Sequence, residues 1–116
     1  MIIITKFFDK NLKKIKSISL SEIIFEIKKH KEGLNNFKKI YELEGNAILK
    51  WYLLWKKVRI LVLFQEVNWK YLPFYIVRKE TKDWKNITKT SISELSSKLT
   101  KSLEEYENWK YKIIEI

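Results

Sequence analysis

Apolar residues along this chain follow two different periods, and the change from one to the other separates helices from strands. Ile2 to Phe8 is a run of β-branched and aromatic residues that reads as a β-strand, with Asp9 placed to cap a following helix. From Asp9 to Lys16, Leu12 and Ile15 sit at helical spacing, which predicts a short helix. Ser19-Leu20-Ser21-Glu22 matches a capping box, in which the Ser hydroxyl and the Glu carboxylate each satisfy backbone donors of the first turn. Leu20, Ile23, Ile24 and Ile27 follow at i, i+3, i+4 and i+7, one apolar face of an amphipathic helix that Gly33 ends.

The pattern then changes. Ala47 to Leu54, Lys57 to Val67 and Tyr71 to Lys79 are rich in Ile, Val, Leu and aromatics, and only Trp55-Lys56 and Asn68-Trp69 separate them. Gaps that short predict hairpins, hence an antiparallel meander. Neither gap holds a Gly, so the turn type is open. In the middle run both alternating sets are apolar, Val58, Ile60, Val62 and Phe64 on one and Leu61, Leu63 and Val67 on the other, which predicts a central strand covered on both faces. Arg59 falls on the second set, and Pro73 suggests a bulge or an edge. Ser91-Ile92-Ser93-Glu94 is a second capping box, and Ile92, Leu95, Leu99, Leu103 and Tyr106 mark the stripe of a C-terminal helix. Tyr111 to Ile116 has the composition of a last short strand. The order β-α-α-β-β-β-α, with that terminal strand, predicts an α+β domain with helices on one face of an antiparallel sheet.

A length of 116 residues fits one domain. Two Gly are too few for a glycine-rich phosphate loop. The absence of Cys excludes a disulfide scaffold, a thiolate zinc site and a Cys nucleophile, and a single His excludes a His-cluster metal site. The opening Met1 to Lys6 is too short for the apolar core of a signal peptide, and the run Ile60 to Phe64 is far too short for a membrane span, so a cytoplasmic protein is expected. Lys and Arg number 24 against 14 Asp and Glu, an excess that favours polyanionic partners such as nucleic acid, ribosomes or an acidic protein. The excess is uneven: residues 34–90 carry twelve basic and five acidic side chains, whereas residues 91–116 carry four and five.

A strand, a two-helix hairpin and then a three-strand antiparallel meander in a small basic chain resemble the RelE/ParE superfamily, the toxins of type II toxin–antitoxin modules, and the C-terminal helix goes beyond the minimal family pattern. Phe8-Asp9-Lys10-Asn11-Leu12-Lys13-Lys14 looks like the family's opening, and Tyr41-Glu42-Leu43-Glu44-Gly45-Asn46 like its Leu-x-Gly turn before the meander. Val58-Arg59-Ile60-Leu61-Val62 looks like its arginine strand, and Val77-Arg78-Lys79-Glu80-Thr81-Lys82-Asp83-Trp84 like its last strand running into a basic loop. The likeness covers about residues 1–89 and treats 1–116 as a single RelE-like domain, with 91–116 a C-terminal helical extension.

The resemblance implies mRNA cleavage, often on the ribosome, by a basic patch on the sheet, with no metal or other cofactor. It also implies an acidic antitoxin as partner. It carries the family's strand arginine onto Arg59, its first-strand lysines near Lys50, and its arginine after the last strand near Arg78, Lys79 or Lys82. Trp84 stands near a position where active members carry Tyr, and an indole has no ionisable hydroxyl.

Cleavage by the RNA's own 2′-OH needs a base, stabilisation of the phosphorane and a proton for the leaving 5′-oxygen. Arg59 stays protonated and presents a fixed fork to phosphate. A Lys among other cations has its ammonium form disfavoured, which suits Lys50 or Lys79 to acid or base work. Trp51, Tyr52, Trp69 and Trp84 are candidates to stack on bases. Each has a plainer role open to it. Arg59 can pair with Glu66 or Glu42, Lys50 and the 79–82 lysines can be solvated, Trp51 and Tyr52 can be core, and Trp84 can pin a loop. His30, among Lys28, Lys29 and Lys31 at a helix end, reads as a cation favoured by the helix dipole. Three functions stay open: a RelE-like endoribonuclease toxin inhibiting translation, a ParE-like gyrase inhibitor, and a non-catalytic basic nucleic-acid-binding module.

Overall fold

In the computed structural model, which describes residues 1–34, 37–53, 57–78 and 92–116, Thr5 rather than Asp9 starts the first helix. Strand β1 spans Ile2–Thr5, and helix α1 follows at once as Lys6–Lys13. The Thr5 hydroxyl accepts from the Phe8 N–H at 3.1 Å, so a cap was available before the expected strand had ended. Asp9 instead lies in the first turn of α1 and pairs with Lys13 at 3.1 Å. Helix α2, Leu20–Lys31, follows its sequence pattern closely. Ser19 and Glu22 form the reciprocal capping box, Ile23 and Ile27 are buried, and Leu20 and Ile24 pack beside them.

The end of α2 is a Schellman motif. Gly33 takes φ +74°, its N–H bonds the His30 carbonyl at 2.9 Å, and the Leu34 N–H bonds the Lys29 carbonyl at 2.7 Å. A side chain at position 33 would strain that left-handed backbone, which is why this Gly works as the stop.

The meander has one more strand than the periodicity predicts. Strand β2, Lys38–Leu43, pairs with β3, Asn46–Leu53, and β4, Val58–Gln65, and β5, Lys70–Arg78, continue the series. The β2–β3 hairpin closes through Glu44 and Gly45, both at positive φ, as a two-residue type I′ turn requires. The other hairpins lack Gly and use side-chain-bearing residues at positive φ instead, Lys57 before β4 and Trp69 after a 3-10 turn at Glu66–Asn68. Helix α3, Ile92–Glu107, and strand β6, Tyr111–Ile114, complete the order. The second capping box begins at Ser91, outside the described residues.

One six-stranded sheet results, in the order β2-β3-β4-β5-β1-β6. It is mixed rather than antiparallel, because β1 runs parallel to β5. Hairpins force neighbours antiparallel, but β1 and β5 are far apart in sequence and free of that constraint. The helices also divide between the faces. Ile2, Ile4, Ala47, Leu49, Trp51, Val58, Ile60, Val62 and Phe64 form one core with α1 and α2 residues. Leu61, Tyr75 and Val77 point the other way and pack with Leu99 of α3. That division follows from β4, which is apolar on both sides and must be covered twice. We call these the first and second faces.

Candidate functional site

The helix on the second face covers only part of it. The principal contacts of α3 within the sheet are with β5 and β1. Over β2, β3 and the start of β4, the second face carries Lys38, Tyr41, Ile48, Lys50, Tyr52 and Arg59, as the strand registers dictate: Lys38 is opposite Lys50, Tyr41 opposite Ile48, and Tyr52 opposite Arg59. Lys50 and Arg59 are diagonal neighbours on adjacent strands, which sets their positions about 7–8 Å apart. Among the described residues, no Asp or Glu occupies a second-face position of β2, β3, β4 or β5.

Each cation differs in its setting. The Arg59 guanidinium lies over the Tyr52 ring, 5.7 Å from its centroid. Partial burial, followed by the charges of Arg59 and Lys38, holds the Lys50 ammonium below the ordinary lysine range. Lys39, one residue from Lys38 but on the opposite face, behaves in the opposite way. Its hydrogen bond to Glu42, at 2.8 Å, and the Glu42 charge push its proton affinity up. Neither carboxylate suggested as a partner for Arg59 is near it. Glu42 lies by Ala47 and serves Lys39, and Glu66 lies beyond the far end of β4, about 20 Å along the strand from Arg59.

The sequence-predicted residues divide accordingly. Arg59, Lys50 and Tyr52 share one face on neighbouring strands. Arg78 does not join them. It pairs with Val58, whose side chain belongs to the first-face core, so the register turns the exposed Arg78 to the other side of the sheet. Lys79, Lys82 and Trp84 lie outside the described residues. Trp51 is 7% exposed within the first-face core, 6.2 Å from the Phe37 ring, which removes it as a stacking platform. Trp69 packs on Phe64 at 5.4 Å, at the opposite end of β4 from Arg59.

Lys38 and Tyr41 went unrecognised because β2 did. The available signal was Glu44-Gly45 between two runs holding aliphatic and aromatic residues, a type I′ hairpin cue that implies a strand before Asn46 as well as after it.

His30 is not the dipole-stabilised cation its position suggests. The α2 terminus turns it inward among Phe37, Phe64 and Tyr71, with ring centroids 5.4–5.6 Å away. Its Nδ1 shares a 2.9 Å hydrogen bond with the Tyr71 hydroxyl. Burial, with a smaller contribution from the Lys39 charge, lowers the proton affinity of His30, and burial pushes Tyr71 up to about 12. Both shifts favour the neutral forms, as befits an internal strut. Among the described residues no group of His, Asp and Glu converges as a metal site would require, and no helix is long and apolar enough to cross a membrane. Comparisons with protein-family models, curated proteins and solved structures find no match.

Proposed function

We propose that this chain is a RelE-like endoribonuclease toxin that inhibits translation, acting through the part of the second face formed by β2, β3 and the start of β4. The observation that carries this reading is the gathering of Lys38, Lys50 and Arg59 on three adjacent strands, with no Asp or Glu among the described second-face positions of β2–β5. Like charges directly opposite one another destabilise a sheet, so such a set suits a surface that binds an anion. The α+β class is compatible with the same reading, and the finer RelE-like arrangement is part of the proposal.

In this mechanism the Arg59 fork binds the scissile phosphate and stabilises the phosphorane as charge builds on its oxygens. Lys50, whose ammonium holds its proton less tightly than an ordinary lysine because of partial burial and the charges of Arg59 and Lys38, accepts the 2′-OH proton. The 2′-oxygen then attacks phosphorus, the bond to the 5′-oxygen breaks, and Lys38 returns a proton to the departing oxygen. The products are a 2′,3′-cyclic phosphate and a 5′-hydroxyl. An acidic antitoxin would silence the protein by covering these cations, and both proteins would act in the cytoplasm.

Purified protein is expected to cleave free or ribosome-bound mRNA, and Arg59→Ala to lose about 10²-fold or more of the rate. Cleavage unchanged by that substitution removes Arg59 from the site. Salt-sensitive RNA binding without turnover leaves a binding module, and inhibition of supercoiling without RNA cleavage leaves a gyrase inhibitor.

A further inference from the structure

The β2–β3 ladder contains an irregularity that alters the site. Lys39 pairs with Leu49 and Tyr41 with Ile48, so Ile40 is an extra residue bulged out of register. In an unbroken strand Lys38 and Tyr41, three apart, would point to opposite faces. The bulge restores Tyr41 to the second face, beside the cations. Its ring is 56% exposed, on the edge strand, with half-buried Ile48 beneath it in the pairing and Lys50 one same-face step along β3. That step is about 7 Å, within the reach between a nucleotide's phosphate and its base.

We propose that Tyr41 forms a nucleobase-stacking subsite for single-stranded RNA, next to a phosphate cradle made by Lys38, Lys50 and Arg59. The proposal rests on the RNA reading above and deepens it. Bulges occur where an edge strand must re-aim a side chain, and here the re-aimed side chain is an exposed aromatic beside Lys38 and diagonal to Lys50. The division of labour follows from chemistry: the cations engage the backbone regardless of sequence, and the phenol ring offers a π-face to whichever base follows. Tyr52, half-buried against Arg59, has one side already committed to the guanidinium, whereas Tyr41 presents its ring to solvent.

The test uses the full chain and a short single-stranded RNA carrying one 2-aminopurine, whose fluorescence is quenched on stacking. Wild type is expected to bind and quench. Tyr41→Ala should weaken binding by about 5- to 100-fold and abolish the quench, while Tyr41→Phe keeps both. Replacing the probe base by an abasic site should weaken wild-type binding and leave Tyr41→Ala unaffected. Circular dichroism checks that both variants fold, as expected for an exposed edge position. Binding and quenching that survive in Tyr41→Ala overturn the subsite and leave the cradle standing. Failure of wild type to bind RNA at all overturns the RNA reading, and the subsite with it.

Discussion

The two faces of the sheet are built from the same strands and do opposite things. On the first face, α1 and α2 close over Ile2, Ile4, Ile60 and Val62, all at most 2% exposed, and even His30 and Tyr71 are drawn in as a hydrogen-bonded pair. On the second face, α3 shelters the β5–β1 side, and beyond it three cations share neighbouring strands. Adjacent residues of one strand show the contrast directly. Lys39 finds a carboxylate on the first-face side and holds its proton more tightly, whereas Lys38, on the second, lies opposite Lys50, whose proton is loosened by burial, by Arg59 and by Lys38 itself. The first face is packed along its length, whereas the second is packed under α3 and carries cations over β2, β3 and the start of β4.

That comparison can be tested face by face. The largest effect belongs to the closed side. Ile60→Ala removes a fully buried side chain and is expected to cost about 2–5 kcal/mol in denaturant unfolding. Ile48→Ala, half-buried on the open side, should cost nearer 1 kcal/mol. Equal losses would mean that the second face is as well packed as the first.

A smaller effect, with the opposite sign, belongs to the cation cluster. Lys50→Met relieves the cross-strand repulsion from Lys38 and should stabilise the protein by about 0.2–1 kcal/mol while reducing RNA cleavage. Destabilisation by this substitution would contradict the account of a strained, functional face.

The last prediction concerns pH. His30 in the folded state binds its proton less readily than at its ordinary value of 6.5, so the unfolded chain takes up more protons below that value. The stability tied to its neutral form is complete above pH 6.5 and is lost as pH falls below it. His30→Gln should flatten the decline in melting temperature between about pH 7 and about pH 5. A decline unchanged in the variant would assign it to another group.

Much of the helical architecture was legible in local sequence. The Ser19–Glu22 box, the stripe through Ile23 and Ile27 and the Gly33 stop each depend on residues a few positions apart, and each was read where it stands. The doubly apolar β4 was equally readable as a central strand. The start of α1 was misread because two cap-competent residues, Thr5 and Asp9, lie one turn apart, and packing of Phe8 into the core favours the earlier one. Of the residues grouped on the candidate face, Arg59, Lys50 and Tyr52 were named from the sequence, while Lys38 and Tyr41 were not.

By itself the sequence determined where α2 begins and ends and that β4 is apolar on both sides, because caps and periodicity act over one or two turns of chain. Only the tertiary structure decided which face each strand residue occupies. A side chain's face flips with every residue of register, so the Ile40 bulge and the β4–β5 pairing, both contacts between distant segments, brought Tyr41 and Lys38 beside Lys50 and turned Arg78 away.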